Sequence, residues 1–161
     1  MDTSGLLLMA LTADAQRELS QQFENRTVGK SYVAVVAGHI ADDSGEIDAP
    51  IRPDLTNRPY QMIDAGLGKP SQTRFTVTYR GERVRPDGVR MDVTVLALIP
   101  LTGRSHQLRV HCKHVGHPIL GDVLYGDSSA AGRLLLHAQT LSFDDPEHGQ
   151  RILLTCPPDF A

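Results

Sequence analysis

Apolar and polar residues alternate most regularly between residues 71 and 100. Alternate positions are apolar or threonine in two runs, Thr73, Phe75, Val77 and Tyr79, and then Met91, Val93, Val95 and Ala97. An alternation with a period of two is typical of a strand buried on one face. Pro86-Asp87-Gly88 between the runs is a turn signal, so we predict an antiparallel hairpin over residues 71–100.

Continuous apolar runs predict further strands. Residues 30–38 are apolar on both faces, which indicates a central strand, and residues 5–11 predict another buried strand. Two more strands are predicted near residues 133–143 and 151–156. By contrast, residues 50–70 contain four prolines and two glycines, which is typical of an irregular surface segment.

Two helices are predicted from their caps and apolar stripes. Thr12 is the expected N-cap of the first, whose stripe is Ala15, Leu19 and Phe23. The second covers about residues 105–115, with Ser105 as N-cap and Gly116 as C-cap. The elements together predict a single α+β domain over residues 1–161 with a mostly antiparallel mixed sheet.

The composition narrows the class of protein. The chain has 161 residues, of which 40% are hydrophobic and 22% charged, as in ordinary globular proteins. A formal net charge of -3 argues against nucleic-acid binding by bulk charge alone, but a local basic surface is compatible with it. Cys112 and Cys156 are far apart, which indicates reduced thiols and a cytoplasmic protein. No apolar run is long enough to cross a bilayer, so no membrane partner is expected.

The segment 102–109, Thr-Gly-Arg-Ser-His-Gln-Leu-Arg, carries the clearest candidate chemistry. It follows an apolar strand, and the small residues Thr102 and Gly103 predict a turn that presents Arg104 at a fixed place. A guanidinium held there can bind an anion or a carboxylate. The residues alone leave open whether Arg104 does so or merely lies on the surface at a strand end.

Six segments together resemble the RluA-type RNA pseudouridine synthases, and the RluA branch most of all. In chain order they are Thr3-Ser-Gly-Leu-Leu7, Lys30-Ser-Tyr-Val-Ala34, Gly68-Lys-Pro70, Thr102 to Arg109, Gly116-His-Pro-Ile-Leu-Gly-Asp122 and Leu134-Leu-Leu-His-Ala138. The resemblance implies a pseudouridine synthase fold with a central RNA-binding cleft. It also implies conversion of uridine to pseudouridine in structured RNA, a ribosomal RNA or a transfer RNA stem-loop, with no cofactor and no metal.

The resemblance also assigns roles to particular residues. Arg104 corresponds to the arginine that pairs with the catalytic aspartate, and Tyr32 to the tyrosine that stacks on the flipped base and takes part in the C5 proton transfer. Leu135 and Leu136 lie in the segment that forms an apolar wall near the uracil. Core packing is the alternative interpretation for Tyr32 and for both leucines.

The family's catalytic aspartate belongs to a His-Arg-Leu-Asp segment that ends two residues before Thr-Ser-Gly. In this chain the matching position falls immediately before Met1, and Asp2 lies two residues later, roughly 6 Å away along an extended chain. We therefore expect a catalytic domain truncated at its N-terminus, inactive or impaired in this form. The alternative is a catalytically dead RNA-binding module of the same fold.

Several basic residues are candidates for phosphate contacts. We assign RNA binding to Arg58, Lys69, His106 and Arg109, with a solvated surface as the alternative for each. His111 and His114 share a helix face, which raises a weaker alternative, a metal hydrolase, although no recognised zinc spacing accompanies them. A sheet edge exposed by truncation would invite pairing with a second chain, so a dimer is also expected.

Overall fold

The computed structural model describes residues 3–160. Over these residues the elements follow in the order β1 (Ser4–Gly5), α1 (Ala13–Glu24), β2 (Gly29–Ala37), β3 (Ser44–Asp48), β4 (Ile51–Pro53), β5 (Gln61–Ile63), β6 (Gln72–Val84), β7 (Arg90–Pro100), α2 (Gln107–His114), β8 (Leu136–Asp144) and β9 (Arg151–Thr155). No helix in this range is long and apolar enough to cross a membrane.

The main sheet has the order β1-β8-β2-β7-β6-β3, and β9 also pairs with β8. Every pairing in it is antiparallel except that of β1 with β8. Strands β4 and β5 form a separate hairpin. The α+β class and the mostly antiparallel mixed sheet are therefore confirmed, as are the β6–β7 hairpin and the central position of β2.

The apolar core lies on both faces of the main sheet. On one face, Ala34 and Leu98 pack against Leu108 and Cys112 of α2. On the other face, Val33 and other valines of β2 and β7 form a second cluster. Because neighbouring residues of a strand point to opposite faces, the continuous apolar sequence of β2 supplies both clusters.

The predicted buried strand over residues 5–11 is wrong. Strand β1 ends at Gly5, and Leu7, Met9 and Leu11 are exposed. Leu6 and Leu8 pack against the cluster beneath α1. The segment thus leaves the sheet with one covered face and one open face, which a continuous apolar run could not reveal.

The expectation that residues 50–70 are wholly irregular is also wrong, because the β4–β5 hairpin lies within them. Ile51 anchors this hairpin: it is buried with Val110 and Tyr125. The backbone of Lys69 forms two hydrogen bonds with Ile51. The sequence pattern did not predict this hairpin, because prolines lack a backbone N–H donor and are therefore usually taken as evidence against a strand.

The N-cap of α1 is Thr12, as predicted, and its side chain accepts a hydrogen bond from Ala15 N–H. The predicted N-cap of α2, Ser105, is wrong. The cap position belongs to His106, which has a left-handed backbone with φ 55° and ψ 17° and makes no side-chain capping bond. A different side chain, described below, binds the backbone at the start of this helix.

Candidate active site

A cavity of about 550 Å³ opens where β2, β7 and the start of α2 meet. Its walls include five of the residues singled out in the sequence, Tyr32, Arg104, His106, Arg109 and Leu136. No aspartate or glutamate lies among the described residues that line it. The cavity is therefore a mixed apolar and cationic space, suited to a planar ligand next to negative charge.

Gln107 holds the turn that presents Arg104. Its side-chain oxygen accepts hydrogen bonds from the Thr102 hydroxyl (2.8 Å) and from the Arg104 backbone N–H (3.0 Å). Its side-chain nitrogen donates to the Gln72 carbonyl (2.9 Å) and to the Thr73 hydroxyl (3.0 Å). Because Gln107 is 4% exposed and all four of its hydrogen-bonding positions are used, the turn has little freedom.

Arg104 is held in place by its backbone rather than by its guanidinium. One terminal nitrogen lies 3.4 Å from the Pro70 carbonyl, a weak contact. Its Nε is buried and has no hydrogen-bond partner among the described residues. A buried guanidinium nitrogen without a partner costs free energy, so Arg104 is prepared for a carboxylate or phosphate that would supply the bond.

Strand alternation separates the two candidate leucines. Leu136 shares a face with Tyr32 and lines the cavity. Leu135 points to the opposite face, where it packs with Val33 and Val35, and is absent from the cavity wall. The structure thus places Leu136 in the pocket and assigns Leu135 to the core on the other side of the sheet.

Two polar groups of β2 reach the same region. Burial raises the pKa of Tyr32 above its usual value, so its hydroxyl is protonated at neutral pH. Burial lowers the pKa of Lys30, whose ammonium lies 5.5 Å from the centre of the Phe23 ring. Lys30 also lines a second, adjoining cavity of about 690 Å³ between the end of α1 and the Arg104 turn.

Arg109 makes a buried ion pair. Its Nε donates to the Asp122 carboxylate at 2.8 Å, and a second guanidinium nitrogen binds the other carboxylate oxygen. Burial acts to raise the pKa of Asp122, but hydrogen bonds from Arg109, Leu124 N–H and Tyr125 N–H outweigh it and lower that pKa. Most of the Arg109 fork is thereby used for structure, which limits the phosphate contact assigned to it.

Arg58 and Lys69 lie outside the cavity wall. Both are exposed on the segment that carries the β4–β5 hairpin. They flank the site through their neighbours, since Pro59 lines the cavity and the Pro70 carbonyl faces Arg104. Position 68 in the same segment requires glycine, because the Cβ of any other residue would clash with the Asp64 carbonyl oxygen, 2.4 Å away.

The histidines of α2 do not converge on a metal site. His111 is fully buried; its Nε2 donates to the Ala49 carbonyl at 3.0 Å and its Nδ1 lies 2.9 Å from the Thr73 hydroxyl. Both ring nitrogens are thus engaged within the protein. Over residues 3–160, no group of three potential metal ligands comes together.

Comparisons with known proteins agree with the motifs. A sequence profile described as RNA pseudouridylate synthase matches residues 1–114. The chain belongs to this family. It is 45% identical to the dual-specificity RNA pseudouridine synthase RluA of Yersinia pestis and 44% identical to that of Escherichia coli K12, in each case over 99% of the chain. These two relatives support the RluA type.

A solved structure supports the same family. The human RNA pseudouridylate synthase domain containing 1 superposes with a TM-score of 0.83 at 35% identity over 99% of the chain. The chain spans 75% of the Yersinia protein, 71% of the Escherichia coli protein and 66% of the human one. A second human domain, at 23% identity and a TM-score of 0.69, shares the fold.

Three residues that shape this RluA-type site escaped the sequence interpretation. Gln107 holds the arginine turn, Asp122 binds Arg109, and Tyr125 contacts His106 at 2.8 Å. The first two lie inside the motifs named above, where a polar residue in an apolar setting is a usable signal. Tyr125 had no such signal, because a lone tyrosine after a turn is usually part of the core.

Proposed function

We propose that this protein is an RNA pseudouridine synthase domain that binds a flipped uridine in the 550 Å³ cavity. The unpartnered Nε of Arg104 carries the proposal: it is a buried cationic donor in the cavity wall without a described partner. A catalytic carboxylate is the partner that the family resemblance supplies. Such a pair keeps the carboxylate ionised and oriented.

The remaining walls suit a uracil. The ring of Tyr32 offers a stacking face, and Leu136 closes the slot with an apolar side chain. Base–aromatic stacking contributes about 1–3 kcal/mol per base. A pocket of this kind holds a base that has left its helix, as enzymes acting on bases require.

The chemistry needs no redox partner. The bond between N1 of uracil and C1′ of ribose breaks, the base turns over, and a C5–C1′ bond forms. The C5 proton leaves and N1 gains a proton, so atoms and charge balance without a cofactor. The aspartate either attacks C1′ or removes a proton from C2′. The resemblance assigns Tyr32, a neutral phenol, a part in the C5 proton transfer.

The source of the aspartate separates two candidate functions. The resemblance places it directly before Met1, and Asp2 lies outside the described residues. Because no acidic side chain lines the described cavity wall, the second candidate is an RNA-binding module that lacks catalysis. Both candidates use the same uridine pocket.

A tritium-release assay on RNA containing 5-tritiated uridine distinguishes them. We compare the 161-residue chain with a version carrying His-Arg-Leu-Asp ahead of Met1. We expect release from the extended protein and background release from the chain itself. An Asp2→Asn variant of each protein is the control, and it should change neither result.

Two results would contradict this scheme. Full turnover by the 161-residue chain, abolished by Asp2→Asn, would make Asp2 the catalytic carboxylate. No turnover by the extended protein, with RNA binding retained, would favour the RNA-binding module.

The RNA partner is proposed to be a ribosomal RNA or a transfer RNA stem-loop, bound in a cytoplasmic setting. The adjoining 690 Å³ cavity shares Lys30 and Arg104 with the uridine pocket and adds Arg26 at its rim. Phosphates next to the flipped nucleotide can lie along these cations, with Arg58 and Lys69 on the other flank. RNA affinity should therefore decrease steeply as salt increases.

A further inference from the structure

The buried Tyr125 contacts His106, a residue of the cavity wall, on the side away from the cavity. Tyr125 is 5% exposed and is not part of the cavity wall, but its hydroxyl lies 2.8 Å from Nδ1 of His106. The two rings meet edge to face, with centroids 5.6 Å apart. Tyr125 therefore reaches the uridine pocket through His106.

The hydroxyl of Tyr125 has a second contact, to a backbone donor. The Gln61 backbone N–H donates to the Tyr125 oxygen at 2.8 Å, and burial raises the pKa of Tyr125. The hydroxyl therefore keeps its proton at neutral pH and can donate it to Nδ1, while the Gln61 N–H occupies an acceptor position of its oxygen. If Tyr125 donates in this way, Nδ1 is the acceptor, and the ring proton of a neutral His106 would lie on Nε2.

Tyr125 is itself held firmly. The Asp122 carboxylate accepts hydrogen bonds from Leu124 N–H at 2.9 Å and from Tyr125 N–H at 3.0 Å. The guanidinium carbon of Arg109 lies 5.3 Å from the centre of the Tyr125 ring. The Arg109–Asp122 ion pair therefore holds Tyr125 in place, and Tyr125 in turn holds the ring of His106.

The backbone of His106 also resists movement. Its φ of 55° lies in the left-handed region, which is uncommon for residues other than glycine. Backbone and ring are thus both constrained at a residue that faces the pocket.

We propose that Tyr125 is a positioning residue that sets the tautomer and orientation of His106 for RNA binding. In this tautomer the ring proton lies on Nε2, and the ring keeps one orientation in the cavity wall, where the flipped nucleotide would lie. The identity of the ligand rests on the proposed function, whereas the Tyr125–His106 bond does not.

The test uses nitrogen-15 NMR of the histidine rings in the 161-residue chain. Tyr125→Phe removes the hydroxyl and keeps the ring, and Tyr60→Phe is the matched control on the neighbouring ring, 5.7 Å away. In the wild type we expect Nδ1 of His106 to show the shift of an unprotonated, hydrogen-bonded nitrogen. Tyr125→Phe should move this resonance and Tyr60→Phe should leave it. A protonated Nδ1 in the wild type, or equal shifts in all three proteins, would overturn the proposal.

Affinity for an anticodon stem-loop RNA provides the second readout. Tyr125→Phe should weaken binding about three- to tenfold, the range of one lost hydrogen bond. In a His106→Asn background the same change should have no further effect, because Tyr125 acts through His106. An NMR change without an affinity change would also overturn the positioning role. If the wild type fails to bind the RNA, the proposed function fails, and the NMR result still decides the Tyr125–His106 bond.

Discussion

Two arginines of one motif have opposite environments. Arg109 forms a bidentate pair with Asp122, whereas the buried Nε of Arg104 has no partner among the described residues. The first arginine stabilises the fold and the second is available for chemistry. The two arginines are only five positions apart in the sequence. Their different roles therefore come from the different strands and loops that their side chains contact.

Asp122→Asn should destabilise the protein strongly. The change removes the carboxylate from a buried arginine, and breaking such a pair costs about 3–5 kcal/mol. The free energy of unfolding in urea measures the effect. Arg104→Gln is the comparison: it should change that free energy by less than about 1 kcal/mol and, in the protein carrying His-Arg-Leu-Asp ahead of Met1, should abolish turnover. Similar losses of stability for both variants would contradict the assigned roles.

At the scale of elements, the start of β8 contributes side chains to both faces of the sheet. Leu136 is the first residue of β8 and Leu135 directly precedes it. Both are nearly inaccessible, yet they belong to cores on opposite faces. Their difference in function is therefore a matter of strand register.

Replacing each leucine with alanine separates stability from function. Both variants should lose about 2–5 kcal/mol of unfolding free energy, as buried leucines do. At a temperature where both remain folded, we expect only Leu136→Ala to weaken stem-loop RNA binding, because it alone enlarges the pocket. Equal effects on RNA affinity would show that the loss comes from general loosening of the sheet.

His111 joins helix α2 to the sheet, and its charge state affects the stability of the fold. Burial lowers the pKa of His111, so the folded protein keeps it neutral while the unfolded chain takes up a proton below about pH 6.5. Its contribution to stability is complete above that pH and is lost as the pH falls toward the lowered pKa.

We therefore expect His111→Asn to flatten the acid side of the stability curve. Urea unfolding between pH 7.5 and pH 5 should show a slope smaller than that of the wild type by up to about 1.4 kcal/mol per pH unit. His148→Asn, at an exposed position, is the control. An unchanged slope in His111→Asn would mean that other groups cause the acid sensitivity.

The hydrophobic pattern predicted those elements whose burial follows one clear period. The β6–β7 hairpin alternates, and β2 is apolar throughout, so both were correct. Residues 5–11 failed because a run of leucines has no period that reveals its exposed face. The motifs correctly singled out Arg104, Tyr32 and Leu136, which line one cavity. The roles of Gln107 and Tyr125 depend on hydrogen bonds between different elements, and spacing along the chain does not predict such contacts.

At the scale of the whole molecule, β9 forms an outer edge of the sheet. It pairs with β8 on one side, and Leu153 on it is 70% exposed. An apolar edge strand favours pairing with another chain. The dimer expected from the sequence was assigned to an edge exposed by truncation, and β9 is the edge that we now propose for it.

We expect self-association that depends on this edge. Sedimentation velocity should show a concentration-dependent dimer in the wild type, and Leu153→Lys should shift it to the monomer. Glu82→Lys, on the far hairpin, is the control for added positive charge. A monomer at all concentrations would contradict the proposed dimer.

The parallel pairing of β1 with β8 has a consequence for how the protein is made. The Ser4 hydroxyl lies 2.9 Å from a ring nitrogen of His137, across 133 positions of sequence. Contacts of such long range form slowly, because the intervening chain must first be ordered. A growing chain on the ribosome carries Thr3 and Arg104 long before Leu136 emerges. The pocket wall is therefore completed only when β8 joins the sheet, so we expect a nascent chain without β8 not to hold a uridine.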